Sequence, residues 1–481
     1  MDPCFETATG LGRAIRNGRL SSAEATEAHL QRIARINGPV NALVVVDRAG
    51  AMKAARAADR IRAKKGARLG PLHGVPITLK EAFDVAGLAT TSSHPPLKDN
   101  IAKSDASLVA RLRAAGAVIL GKTNVPELCR DFQTDSPLFG TTKNAWDARR
   151  TAGGSTGGGA VAVAARMSPL EIGSDIGGSV RNPAHYNGIF SLKPTEWRVP
   201  GRGHVPDIPG QTRTTRYMGV FGPLARSVED LETALRLIAG PDGYEAEAPP
   251  VPLGPTPRLK ARDLRIAVLE SDPLVRVSAD TAAVVQATAK LLGRAGAKVK
   301  RAEPAGFDWR QGFDDWIDLF QYQNRALEPL EERQPFFDKD GGSDPSARSM
   351  VRTARLDMAE FFAVLDRRDL AMRQCEQFLD DYDAWLMPVM PDAAFIRQPQ
   401  TQPLRIDGVD HPYFFAGCSY NFLANLTGQP SIVLPCGFSK EGLPIGLQLT
   451  GKRWGDAKLL GVARVLEKLL PPCPVPPDYK D

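Results

Sequence analysis

The chain has 481 residues, 43% of them hydrophobic, and a formal net charge of +6. It is long enough to bury a sizeable core, and 61 basic against 55 acidic residues, without a long basic run, do not point to a nucleic-acid partner. Six scattered cysteines form no CxxC pair, which removes the zinc and thioredoxin signatures, and they are too sparse for a disulfide framework.

The opening residues MDPCFETATG lack a basic segment followed by an apolar one, so no secretory leader is read. No apolar stretch approaches a membrane span. The expectation is a cytoplasmic protein with no membrane partner. Residues 21–36 read as a helix: Ser21 and Glu24 fit a capping box, Leu30, Ile33 and Ile36 share one side, and Asn37-Gly38 supply a stop. A second helix is expected over 51–64. GVPITLK at 74–80 alternates as a strand, which turns Lys80 away from the face carrying Ile77 and Leu79. A helix over 105–115 and a strand over 117–121 continue an α/β rhythm.

Residues 131–195 differ. They are rich in Gly, Ser, Thr and Asn and poor in periodicity, yet Val161, Val163, Ile172, Ile176, Ile189 and Phe190 are interspersed. That predicts a packed loop region rather than a linker. Residues 240–259 are Pro-rich and read as a surface crossover. Then come a strand at 265–271 and a helix at 279–295. The aromatic-rich stretch 306–350 is either a lid over a site or a set of helices with a buried aromatic face. Strands at 385–389, 431–435 and 446–451 and a helix at 456–470 close the chain.

Two serines sit among glycines, in GGSTGGGA at 153–160 and GSDIGGS at 173–179. GGSTG fits the GxSxG pattern of a nucleophile elbow, but DARRTA at 147–152 is a poor version of the apolar strand that elbow needs. The six histidines show no metal-binding spacing and read as structural or exposed. The Gly-rich loop lacks the GK[ST] ending of a phosphate loop and the dinucleotide pattern, so no nucleotide cofactor is expected. Ile176-Gly177-Gly178-Ser179 places two residues without Cβ before a hydroxyl, where successive N–H groups can converge on an anion.

The ordered set is far more specific than its parts. GVPITLKEAFDVAG at 74–87, GKTNVPEL at 121–128, LFGTTKNAWD at 138–147, NAWDARRTAGGSTGGGA at 144–160, GSDIGGSVRNPAHYNGIFSLKPT at 173–195 and GLPIGLQLTGKRWGDAKLL at 442–460 together resemble the amidase signature family, over nearly the whole chain. The resemblance implies one large α/β domain with a mixed central sheet covered by helices on both faces. Within it, 1–65 is an N-terminal helical segment packed on the core, 66–240 the catalytic core, and 241–481 the remainder with a candidate cap at 306–350.

It also implies a Ser-Ser-Lys triad: Ser179 as nucleophile, Ser155, 24 residues earlier, as proton shuttle held by a cis peptide bond, and Lys80 as base. The oxyanion hole falls on the N–H groups of Ile176, Gly177, Gly178 and Ser179. Thr156, Asp175 and Arg181 read as support, and Phe132, Gln133 and Ser174 as candidate substrate contacts. Thr156 stands where a second serine is commoner, and Ala145 and Ala152 where proline is frequent; no reacting group is lost.

The physics of such a triad sets a requirement on Lys80. A lysine accepts a proton only when neutral, and bringing its pKa from ~10.4 to about 7 takes roughly 4.6 kcal/mol of bias. Burial supplies that bias. The expected activity is hydrolysis of a small-molecule carboxamide without metal or cofactor. Alternatives on the same motifs are a carbamate, ester or hydrazide hydrolase, or the amidase-type subunit of a tRNA-dependent amidotransferase. A non-catalytic binder on this scaffold is disfavoured by the intact triad. A homodimer is compatible with the sequence.

Overall fold

The computed structural model describes residues 2–205, 215–326 and 328–481. Residues 206–214, inside the expected core segment, and Leu327, inside the 306–350 stretch, lie outside the described residues. Among the described residues eleven strands form one mixed sheet: β1 (Leu43–Val46), β2 (Pro76–Lys80), β3 (Val118–Thr123), β4 (Leu170–Asp175), β5 (Phe190–Lys193), β6 (Val220–Ala225), β7 (Arg265–Val268), β8 (Lys298–Arg301), β9 (Ala384–Pro388), β10 (Ser431–Phe438) and β11 (Pro444–Thr450). Their order across the sheet is β1-β3-β2-β4-β6-β5-β10-β11-β9-β7-β8. β2 runs parallel to both β3 and β4, whereas β4–β6 and β10–β11 are antiparallel. Strands far apart in sequence thus share one sheet, as expected. Helices cover both faces, so β2, β3 and β4 are buried at every position.

The N-terminal capping box forms: Glu24 N–H donates to Ser21 Oγ at 3.0 Å, and Ser21 N–H to Glu24 Oε2 at 2.8 Å. The helix it opens, Ser22–Val40, runs past the expected stop at Asn37-Gly38. Asn41, at φ 52, ends it instead. Asn37 serves the turn that follows, where its Oδ1 accepts the N–H groups of Ala42 and Leu43 and folds the chain back into β1. The first 65 residues therefore contribute an edge strand as well as helices. Asp230 anchors the first helix, Ala8–Arg16, by accepting from Ala8 N–H at 3.1 Å and Thr9 N–H at 2.8 Å.

The central stretch that reads as irregular contains regular elements. Helix Gly157–Ala164, β4, helix Arg181–Asn187 and β5 all lie within it. The sequence GGGAVAVA shows no helical period because every residue of that helix is buried and no polar face is needed. Its glycines permit close approach. A Cβ on Gly158 would lie 2.4 Å from Asn124 N and 2.5 Å from Ala42 O.

Gly158→Ala tests this packing. Alanine favours a helix by about 1 kcal/mol over glycine, but the backbone clash is expected to outweigh that and leave a net loss of about 1–3 kcal/mol. Urea denaturation measures it; unchanged or raised stability would show that the helix moves away freely.

Candidate active site

β2 ends at Lys80, whose side chain is fully buried. Strand alternation aims it away from Ile77 and Leu79, which belong to the apolar core. Its amine lies 2.7 Å from Ser155 Oγ and 2.9 Å from Ser174 Oγ. Burial pulls the Lys80 pKa down from the usual lysine value, with Cys129, Asp175 and Glu171 acting the other way.

Ser155 sits just before the buried helix Gly157–Ala164, and the Gly154–Ser155 peptide is cis. Asn182 clamps this turn: its Oδ1 accepts Gly154 N–H at 3.0 Å and its amide donates to Gly154 O at 2.7 Å. A Cβ on Gly154 would lie 2.4 Å from Asp131 O, so the turn requires glycine. Thr156 N–H donates to Ser179 O at 3.1 Å and ties the two serine loops together.

The loop after β4 carries Ser179. Asp175, the last residue of the strand, accepts Gly178 N–H at 2.9 Å and Val180 N–H at 3.1 Å and receives two donors from the Arg181 guanidinium. Burial alone would raise the Asp175 pKa; Arg181 and these donors overcome it and hold the carboxyl well below the usual carboxylate range. Arg181 also donates to Gln448 Oε1 at 3.0 Å, Asn421 O at 3.0 Å and Asn425 Oδ1. It is therefore spent on the scaffold. Gly178 has φ +110, and a Cβ there would meet the Asn421 amide at 2.6 Å. Because Gly178 N–H is committed to Asp175, it is not available to an oxyanion. Among the described residues, the N–H groups of Ile176, Gly177 and Ser179 have no protein acceptor.

Ser155, Ser174, Asp175, Ile176 and Ser179 line one narrow cavity. Among the described residues no hydrogen bond joins the Ser155 and Ser179 hydroxyls. Helix Trp309–Arg325 contributes Phe320, Gln323 and Asn324 to the wall, and its Trp316 indole donates to Ile176 O at 3.0 Å. Phe132 and Gln133, expected as substrate contacts, do not line this cavity. Phe132 packs against Tyr413 and Phe414, and Gln133 pairs with the backbone of Gln398 through both amide atoms. Cys129 and His204 also line the cavity, and the sequence reading gives neither a role here. Cys129 stands in a left-handed backbone conformation, φ 60. His204 reaches Ser174 Oγ through Nε2 at 2.9 Å, although the histidines read as structural or exposed; the glycine-flanked RGH at 202–204 carries no spacing that marks it. Among the described residues no group of three His, Cys, Asp or Glu side chains is placed to hold a metal ion.

Comparison with known proteins identifies the family. A family model described as amidase matches residues 24–460. The chain belongs to the amidase signature family. It is 34% identical to an indoleacetamide hydrolase of Bradyrhizobium diazoefficiens, across 96% of this chain and 86% of that protein. It is also 34% identical to a glutamyl-tRNA(Gln) amidotransferase subunit of Roseiflexus castenholzii, across 98% and 97%. A solved structure of 6-aminohexanoate cyclic dimer hydrolase with its substrate superposes with a TM-score of 0.80 at 26% identity, covering all of both chains. An amidase signature chain is thus a carbon–nitrogen hydrolase by family. Among the described residues its mixed sheet has eleven strands, and the cavity lies at the end of β4.

The Asp175–Arg181 pair gives a direct test of this frame. Removing one partner of a buried pair leaves an uncompensated charge and costs about 3–5 kcal/mol. Asp175→Asn is expected to lose that much in denaturant unfolding. A loss below about 1 kcal/mol would mean that Arg181 finds other acceptors.

Proposed function

We propose that this protein hydrolyses a small-molecule carboxamide through an acyl-enzyme on Ser179, with Ser155 as proton shuttle and Lys80 as base. The observation that carries the reading is a buried, desolvated lysine amine 2.7 Å from the Ser155 hydroxyl, in the cavity that also holds Ser179. Ser179 Oγ attacks the carbonyl carbon. Its proton passes to Ser155 Oγ while Ser155 gives its own proton to Lys80. The relay closes when substrate fills the cavity, since hydrogen bonds of this kind tighten in the bound complex. The negative oxygen of the tetrahedral intermediate is received by the N–H groups of Ile176, Gly177 and Ser179. The C–N bond then breaks, the leaving nitrogen takes a proton from Ser155, and Lys80 returns one to Ser155. Water attacks the acyl ester, passing its proton along the same relay, and releases the acid and free Ser179.

Ile176, Val220, Phe221 and Phe320 give the cavity an apolar portion of wall, beside polar groups such as Arg130, Gln323 and Asn324. That supports an apolar or aryl substituent next to the scissile bond, in keeping with the similarity to an indoleacetamide hydrolase. Carbamates, hydrazides and esters present the same electrophilic carbonyl and are further substrates for the same relay. Resemblance to an amidotransferase component over almost the whole chain favours a second reading, in which ammonia passes to a partner protein. Purification from the native cell separates the two: the hydrolase reading expects turnover by the chain alone.

Ser179→Ala is expected to lose at least about a thousandfold in turnover on a panel of nitroanilides, primary amides, esters and carbamates, with the fold intact. Lys80→Met is expected to lose at least about a hundredfold. Retained activity in Ser179→Ala would overturn the nucleophile assignment.

A further inference from the structure

Among the described residues the Ser174 hydroxyl has two partners, Lys80 Nζ at 2.9 Å and His204 Nε2 at 2.9 Å. A hydroxyl has one proton to give and two lone pairs. A neutral lysine amine has two N–H groups and one lone pair. If Ser155 is to pass its proton to Lys80, that lone pair must face Ser155. Lys80 then offers Ser174 only an N–H, and Ser174 must send its own proton elsewhere. His204 Nε2 is the acceptor in reach.

The histidine is held firmly in that place. Its ring packs against both Phe83 and Phe221, with centroids 4.9 Å from each, and those two rings touch each other at 5.8 Å. Its backbone bridges to Phe83 in antiparallel fashion. Asp84 N–H donates to Gly203 O at 2.8 Å, and Val205 N–H to Ala82 O at 2.6 Å. Residues 82–84 follow closely on Lys80, so the imidazole is fixed relative to the lysine through the backbone. Burial, with Lys80 close by, pushes the His204 pKa well below the usual histidine value. The ring therefore stays neutral near pH 7 and keeps a lone pair to offer.

We infer that His204 is a positioning residue: by accepting the Ser174 hydroxyl proton, it fixes the direction of the hydrogen-bond chain and reserves the Lys80 lone pair for Ser155. Without that acceptor, Ser174 turns its proton toward Lys80 and competes with Ser155. The inference rests on the reading of Lys80 as base.

A fluorophosphonate probe tests it without knowledge of the natural substrate. Ser179 Oγ bonds to phosphorus, the P–F bond breaks, fluoride leaves, and the serine proton enters the relay. The rate constant kinact and the binding constant KI are measured for wild type, His204→Gln, His204→Met, Ser174→Ala and the Ser174→Ala/His204→Met double variant. Glutamine can accept a hydrogen bond; methionine has similar length but only a weak sulfur acceptor. The expectation is that His204→Met lowers kinact about tenfold to a hundredfold with KI unchanged, while His204→Gln stays within about threefold of wild type. In the Ser174→Ala background the same His204→Met change is expected to cost little, because the path runs through Ser174. Equal effects of Met and Gln, no effect of Met, or an undiminished effect without Ser174 would each overturn the inference. If His204→Met does not fold by circular dichroism, His204→Asn, whose amide is too short to reach Ser174, replaces it. Failure of the triad reading shows separately, as labelling that persists in Ser179→Ala or is indifferent to Lys80→Met.

Discussion

Taking one lysine amine out of water is the constraint around which the site is arranged. A buried amine sheds its proton only if no anion nearby stabilises the ammonium. Two carboxyl groups lie close enough to act on Lys80, and each is disarmed. Arg181 grips Asp175 with two donors, so that carboxylate is already compensated. Glu171 is buried beneath the site with Thr123 Oγ1 donating to it at 2.7 Å, and burial pushes its pKa up to about 8, which leaves it largely neutral at pH 7. Beside Lys80 stand the hydroxyls of Ser155 and Ser174 and the side chain of Cys129, which acts to raise the lysine pKa. Its two hydroxyl partners are groups through which a proton can travel, and burial outweighs the groups that favour the cation.

This arrangement needs the whole chain. Arg181 is held by Asn421, Asn425 and Gln448, all more than 200 residues away in sequence. The carbonyl of Ile176 is held by Trp316, and Gly177 lies against that same indole, where a Cβ would come within 2.8 Å. The loop that carries Ser179 is therefore a short glycine-rich segment whose shape is imposed from outside. Close packing of the glycines explains why larger residues would be excluded at 154, 158 and 178: in each case backbone or a fixed amide fills the space.

Much of this is legible in the sequence, for identifiable reasons. The strand at 74–80 shows alternation, and the capping box at Ser21 and Glu24 is a local pattern, so both are readable from neighbours alone. Lys80, Ser155 and Ser179, the proposed triad, stand out because the ordered glycine-serine motifs are specific. The helix Gly157–Ala164 is not readable, because a helix buried on all sides carries no amphipathic period. Asn37 reads as a helix stop, yet its side chain serves the turn into β1. Phe132 reads as a substrate contact from its type and neighbourhood, but its ring packs against Tyr413 and Phe414, a long-range contact no local pattern announces. His204 is invisible for the same reason: its importance lies in a backbone bridge to Phe83 and a hydrogen bond to Ser174, neither encoded by spacing.

The most direct measurement is the pH dependence of Ser179 phosphonylation by a fluorophosphonate, in wild type and in Lys80→Met. On the proposed relay Lys80 must lose its proton to act, and its pKa in the folded protein is lowered, so the wild-type rate should rise with pH and level off below ~10.4, the ordinary lysine value. In Lys80→Met that inflection should vanish along with most of the rate. A wild-type inflection near the ordinary lysine value, or one that survives the removal of Lys80, would contradict the account.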